Sequence, residues 1–384
     1  MMNKRNLSLD IFRGLTMALM VFVNDFWTVL DVPHWMAHFG PGEDGMGLSD
    51  IVYPMFLFAM GMSIPHALES RLAKGATPWD CFKHILSRTL ALLVMGAFIV
   101  NSEGGVAWNK GVYWILMVLG FFLVWNRYPK EAGYKKWLQW AGVLLLAGLA
   151  IAYRSPEGGL FRASWWGILG QIGWMYLFAA LAYLLCRERK WMLALLWGLF
   201  CLINLSVVPL RDGSFWIGGN FLADASAALN LNKGHGTVMA LGGVLLTLAD
   251  SRIKKQRVWV GLLAAAVLAA MATAFHADWI VSKIGGTLPW CLYVCALSVL
   301  LYTLLRVLEK AGWTGWAKPL KPAGTATLTV YMIPYLFYSF WVFLNPTIPL
   351  WLSGWVGVVK CALFSALCIF LTWCLGHIGI KLKI

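Results

Sequence analysis

Long uninterrupted runs of apolar residues alternate along this chain with short polar connections. Twelve such runs stand out, at about 9–30, 48–68, 86–102, 109–126, 137–153, 164–186, 191–209, 235–250, 258–276, 286–308, 323–343 and 354–376. A helix needs about 20 apolar residues to cross a hydrocarbon core. Inside that core every backbone group must be satisfied within its own segment, so continuous runs predict helices. The strands of a membrane β-barrel would alternate apolar and polar positions instead. The expected fold is therefore all-α, a polytopic membrane bundle of about 12 helices with no soluble domain. The longest outer connection, about 210–234, carries Gly and Trp residues that suit a re-entrant or substrate-contacting segment. No internal repeat of the kind that builds many transporters is visible.

Composition agrees, with 60% hydrophobic and 12% charged residues where soluble domains carry about 25% charged residues. A net charge of +14 raises the question of nucleic acid. The placement of the charge answers it, because 23 Lys and Arg fall in one alternate set of connections and 6 in the other. By the positive-inside rule both termini are cytoplasmic and the connection 31–47 lies outside. The 23 Trp suit interfacial belts and lined cavities. The eight Cys show no CxxC pair and read as small buried hydrophobes. Lys4 and Arg5 before an apolar run imitate a secretory signal. Asp10 and Arg13 interrupt that run and no small-x-small cleavage site follows, so a retained first helix is expected.

Candidate chemistry concentrates between residues 9 and 68, where acidic or amide residues (Asp10, Asn24, Asp25, Asp50) sit at the ends of two apolar runs. Ionisable groups at membrane depth are costly and point to function. Asp10 and Arg13 share a helix face, as a structural ion pair or as a site where Arg13 meets an anionic cofactor. His38 in the outer connection is either a solvated surface residue or a base or nucleophile, and His34, Glu43 and Asp44 share the solvated reading. Asn24 has the chemistry to fix a histidine tautomer or to donate to an oxyanion. Asp50 opens the second run and is either a helix cap or a partner of His38. The spacing of His66, His84, His235, His276 and His377 gives no HxxxH or HExxH site, and no GxSxG or P-loop pattern is present, so no metal site is expected.

The opening SLDIFRGLTMALMVFVND, followed by H-x(11)-DIVYPMFLFAMGMSI, resembles the transmembrane acyltransferases typified by heparan-α-glucosaminide N-acetyltransferase and its bacterial relatives. The match is specific through residues 8–64 and continues more weakly through 87–101, 167–181, 234–248 and 324–337. The resemblance implies an acyl-CoA-dependent acyltransferase that carries an acetyl group from cytosolic acetyl-CoA to an amino sugar or glycan on the outer side of a cell (inner) membrane. It maps the catalytic residues to His38, Asn24 and Asp50, with His34 the rival of His38. It also places Arg13, Asp10, Arg88 and Gln171 along the acetyl-CoA path, makes a homodimer plausible, and marks residues about 109–153 as a helix pair inserted among ten family-like spans. The family's L-Q-R motif reads Gly170-Gln171-Ile172 here, and its N-S-I-x-V-Y motif reads Ala326-Thr327-Leu328-Thr329-Val330-Tyr331. Two other readings remain: a transporter that uses Asp10, Asp25 and Asp50 as coupling carboxylates, and a non-catalytic membrane scaffold.

Overall fold

A computed structural model describes residues 6–129, 131, 133–217, 220–252, 257–344 and 352–384. Of the basic residues used for sidedness, Lys4, Arg5, Lys130, Lys254 and Lys255 lie outside the described residues. The described chain is helical, with isolated bridges only at Leu30–Ser353 and Asn126–Leu382. Its principal helices in order are α1 (Leu7–Asn24), α2 (Leu48–Leu72), α3 (Pro78–Glu103), α4 (Lys110–Trp125), α5 (Lys135–Ala152), α6 (Ile168–Cys186) and α7 (Lys190–Val207). They continue with α8 (Asn220–Ala228), α9 (His235–Arg252), α10 (Arg257–His276), α11 (Leu288–Lys310), α12 (Lys321–Thr325), α13 (Thr327–Leu344) and α14 (Gly354–His377).

A helix lies within each of the twelve expected runs. By length and apolarity, eight of the described helices qualify to cross a membrane, or nine if α12 and α13 with the turn before them form one broken span. The chain is accordingly a multi-pass helical membrane protein. Two departures from the expected runs have local reasons. The first helix ends at Asn24 and tightens into a 3₁₀ turn over Asp25–Thr28. The run 323–343 breaks at Ala326, which leaves helical dihedrals at φ −133°, ψ 45°. The connection 210–234 carries the nine-residue helix α8, and its residues 218 and 219 lie outside the described residues.

The helix ends are set by their own residues. Thr77 and Asp80 form a reciprocal cap on α3, each backbone N–H reaching the other's side chain at 3.1–3.2 Å. Asn109 Oδ1 accepts from the Val112 N–H at 3.1 Å and starts α4. The eight cysteines are free, and all but Cys374 are buried.

The chain forms two compact units. The first comprises Met1–Thr16, Pro33–Thr89 and Ile172–Lys318. Within it α2 packs along α9, α10 along α11, and α7 and α11 against α9. Without a hydrophobic drive between helices in lipid, such pairs rely on close backbone approach through small residues. Gly61 of α2 and Gly243 of α9 provide it: a Cβ at Gly61 would fall on the Ala240 carbonyl, and one at Gly243 on the Phe58 carbonyl. The second unit comprises Met17–Val32, Leu90–Gln171 and Pro319–Ile384. In it α4 packs against α5 and α13, and α13 against α14.

Replacing Gly61 or Gly243 with Val should therefore separate α2 from α9. Overpacking of this kind costs about 1–3 kcal/mol or more, read as a fall in detergent melting temperature. An unchanged melting temperature would mean that the close approach does not hold the pair.

Candidate active site

The connection between α1 and α2 is built, not merely solvated. Gly45 N–H donates to Val281 O at 2.9 Å, and Val281 N–H donates back to Asp44 Oδ1 at 2.8 Å. The same carboxylate takes His276 Nε2 at 2.8 Å and Arg211 Nη1 at 2.7 Å. Burial raises the Asp44 pKa, but the hydrogen bonds from Val281, His276 and Arg211 outweigh it and hold the carboxyl below its usual range. Asp44 thus clamps the connection between α1 and α2 to the segments before α8 and α11, which corrects its solvated reading.

The start of α2 sits beneath this clamp. Pro54 has no N–H, so the carbonyl of Asp50, four residues earlier, loses its helical donor. The buried indole of Trp290 supplies one instead, Nε1 donating to Asp50 O at 3.1 Å. The Asp50 side chain, 1% exposed, turns back over the helix start. Its Oδ2 accepts the N–H groups of Gly47 and Phe39, each at 3.0 Å. Its Oδ1 meets His38 Nδ1 at 2.7 Å. The cap and the histidine partner are therefore the same carboxylate.

Lys283 completes the group. Its Nζ lies 3.1 Å from His38 Nδ1, 3.7 Å from Asp50 Oδ1 and 3.3 Å from Ser49 O. His38 Nδ1 cannot both donate to Asp50 and accept from Lys283. The shorter contact and the buried negative charge assign the Nδ1 proton to the bond with Asp50, which leaves a lone pair on Nε2. Burial pushes the Lys283 pKa down, with Asp50 pulling it back up. The His38 side chain is 52% exposed, so the ring is gripped at one nitrogen and open elsewhere. Its rival His34 pairs with Glu43 at 2.8 Å, is 64% exposed and has no buried carboxylate behind it.

Among the other expected residues, Asp10 and Arg13 lie part-buried in the first turns of α1. Arg88 stacks its guanidinium 4.7 Å from the Tyr176 ring centre, and its buried Nε has no hydrogen-bond partner. An orphaned cationic donor of this kind fits a phosphate-bearing ligand. Gln171, in the second unit, donates its amide to the Trp166 carbonyl in the first turn of α6. Asn24, also in the second unit, lines a cavity there. Beside it Asp25 is 1% exposed and paired with Lys360 Nζ at 2.6 Å, with Tyr338 donating to it at 3.0 Å. Lys360 is therefore bound inward, not snorkelling to the surface.

Sequence reasoning counted Lys283 only as an outer-loop charge and passed over Trp290 and the Asp25–Lys360 pair. The signal for Trp290 was Pro54, which announces a carbonyl in need of a donor.

A multi-pass helical membrane protein with a histidine held by a buried aspartate is the class that fold and site define. The family model described as "Domain of unknown function (DUF5009)" matches residues 5–213, and the chain belongs to that family. Its matched stretch runs through α4 and α5. The chain is also similar to heparan-alpha-glucosaminide N-acetyltransferase of Mus musculus, at 30% identity over 181 residues, covering 39% of this chain and 26% of the relative. The Homo sapiens protein of that name is 28% identical over 170 residues, covering 37% of this chain and 24% of its own length. The chain thus spans about a quarter of the length of these curated relatives.

The Asp44 clamp has a definite pH signature. A carboxyl whose folded pKa is depressed stabilises the fold above its unfolded pKa, about 3.9, and loses that contribution as pH falls through the folded value. Hydrogen exchange of the 39–47 amides, corrected for intrinsic rate, should stay slow from pH 7 down to about 4 and accelerate only below it. Acceleration as pH rises from 6 to 7 would mean that the clamp depends on a charged histidine instead.

Proposed function

We propose that this protein is an acyltransferase that moves an acetyl group from acetyl-CoA to an amino sugar or glycan acceptor, with His38 as the general base. The observation that carries the reading is the pairing of His38 Nδ1 with the buried Asp50 carboxylate at 2.7 Å, beside Lys283. The similarity to the two N-acetyltransferases supplies the reaction and the acceptor class.

In this reading Asp50 fixes the tautomer that leaves Nε2 able to take a proton. Nε2 accepts the proton of the acceptor amine as its nitrogen attacks the thioester carbon. The imidazolium that forms is stabilised by Asp50, and the Lys283 ammonium offsets the oxyanion at the former carbonyl. Collapse breaks the C–S bond, and the CoA thiolate takes the proton from His38 Nε2 as it leaves, which restores the neutral base. Acetyl-CoA supplies the activated acyl group; Arg88, with Arg13, Asp10 and Gln171, is proposed to line its path. An acyl-histidine intermediate would use the same Nε2 as nucleophile. We place donor entry on the cytoplasmic side and the His38 connection outside, in the topology the basic connections imply, with both termini cytoplasmic. A homodimer and the crossing of the membrane by all twelve runs belong to the same proposal.

The transporter reading loses support because two of its three carboxylates have fixed cations: Asp25 pairs with Lys360, and Asp50 lies near Lys283. A coupling carboxylate must be able to exchange its ion.

Purified protein given acetyl-CoA and glucosamine should release free CoA. His38→Ala should lower kcat by at least about 10²-fold, the lower range for general-base catalysis. His34→Ala should leave kcat within about threefold, since the whole general-base contribution of about 10²–10⁴ rests on the other ring. Full turnover by folded His38→Ala, or solute flux without CoA release, would overturn the proposal.

A further inference from the structure

Leu297, Leu300, Leu304 and Val307 recur at three- and four-residue spacing and so share one face of α11. That face is exposed, and with α2 and α10 it walls a groove of about 540 Å³ within the first unit. Ile51 and Met55 of α2 line one end of the groove, and Leu262 of α10 lies toward the other. All three helices are long and apolar enough to cross a membrane. Close by, α10 approaches α11 through Gly261, where a Cβ would fall on Thr303 Oγ1. Thr303 is the one polar side chain among the described lining residues. Its hydroxyl is spent on Val299 O at 2.7 Å. The walls therefore suit hydrocarbon alone.

Position, length and width select the occupant. Trp290 bonds to the carbonyl of Asp50, and Ile51 is the next residue, so the groove begins beside the carboxylate that holds His38. At 1.5 Å per residue, Trp290 and Val307 lie about 25 Å apart along α11. One leaflet supplies about 15 Å, half of a hydrocarbon core about 30 Å thick. A phospholipid tail thus fills only part of the groove. Spread along about 25 Å of helix, 540 Å³ leaves a cross-section of about 20 Å². A helix about 10–12 Å across is several times too wide, so a helix of a second copy does not enter. One long chain does.

We infer that the acceptor is a sugar carried on a single hydrocarbon chain longer than one leaflet, with the chain in this groove and the sugar at His38. The inference rests on the acyltransferase reading for the sugar and its reaction, but the seating of the chain does not depend on turnover. Such an acceptor reaches the site sideways, between helices, and presents its amine to Nε2 while its chain stays in lipid.

The test is photolabelling of full-length His38→Ala protein in phospholipid nanodiscs, without CoA. The probe is eicosyl glucosaminide with a diazirine at the end of its chain. It should label the far end of the groove, at Leu262, Leu304 or Val307. Excess unlabelled eicosyl glucosaminide should cut that labelling at least fivefold, whereas the same excess of phosphatidylglycerol should cut it less than twofold. Leu300→Trp, which fills the groove, should also cut it at least fivefold. Labelling spread evenly over the lipid-facing helices, equal competition by phospholipid, or undiminished labelling in Leu300→Trp would each overturn the inference. So would cross-linking to a second copy in place of groove labelling. If Leu300→Trp fails to fold, judged by gel filtration, the competition on the parent protein still decides. Selective groove labelling, with no CoA release by the unsubstituted protein from acetyl-CoA and either form of glucosamine, would overturn the catalytic reading alone. CoA release by the unsubstituted protein, with no selective labelling, would overturn this inference alone.

Discussion

One buried negative charge organises the start of α2 and the connection before it. The Asp50 carboxylate collects two backbone N–H groups, a histidine ring and the field of a lysine, all within 3.7 Å. An isolated carboxylate at 1% exposure would be expensive to leave unpaired. The connection from His38 to Gly47 therefore wraps around it, and the segment that carries Lys283 closes over it. The two N–H bonds also give α2 its start, so the device that begins the helix is the device that orients the ring. Because Trp290 and the Asp44 clamp hold the surrounding chain, His38 is presented at a fixed angle while most of its ring stays open.

The second unit handles a buried charge differently. Asp25 is matched by Lys360 and Tyr338, so it is spent on joining the end of α1 to α13 and α14. Buried pairs of this kind are weak evidence for anything but structure.

Much of the architecture was legible in the sequence because lipid imposes a simple rule: a continuous apolar run must be a helix. His38 was singled out from its neighbours only through the family resemblance, since a histidine in a polar loop reads the same whether solvated or gripped. The grip became visible once the chain was folded. Lys283 lies 245 positions from His38, and no local pattern links a lysine after α10 to a histidine before α2. The Asp25–Lys360 pair escaped for a similar reason, its two members lying 335 positions apart. The break at Ala326 and the early end of α1 escaped because apolar composition continues through both.

The central claim is that Asp50 acts through His38, beyond starting a helix. It is tested most directly by Asp50→Asn, which keeps the size of the side chain and its ability to accept from Gly47 and Phe39. The amide can present N–H to the ring and reverse the tautomer, so Nε2 would carry the proton. The account predicts acetyl transfer to glucosamine slowed by about 10²–10⁴-fold in kcat, with the melting temperature lowered far less than by loss of the fold. A folded Asp50→Asn protein with full kcat would contradict it.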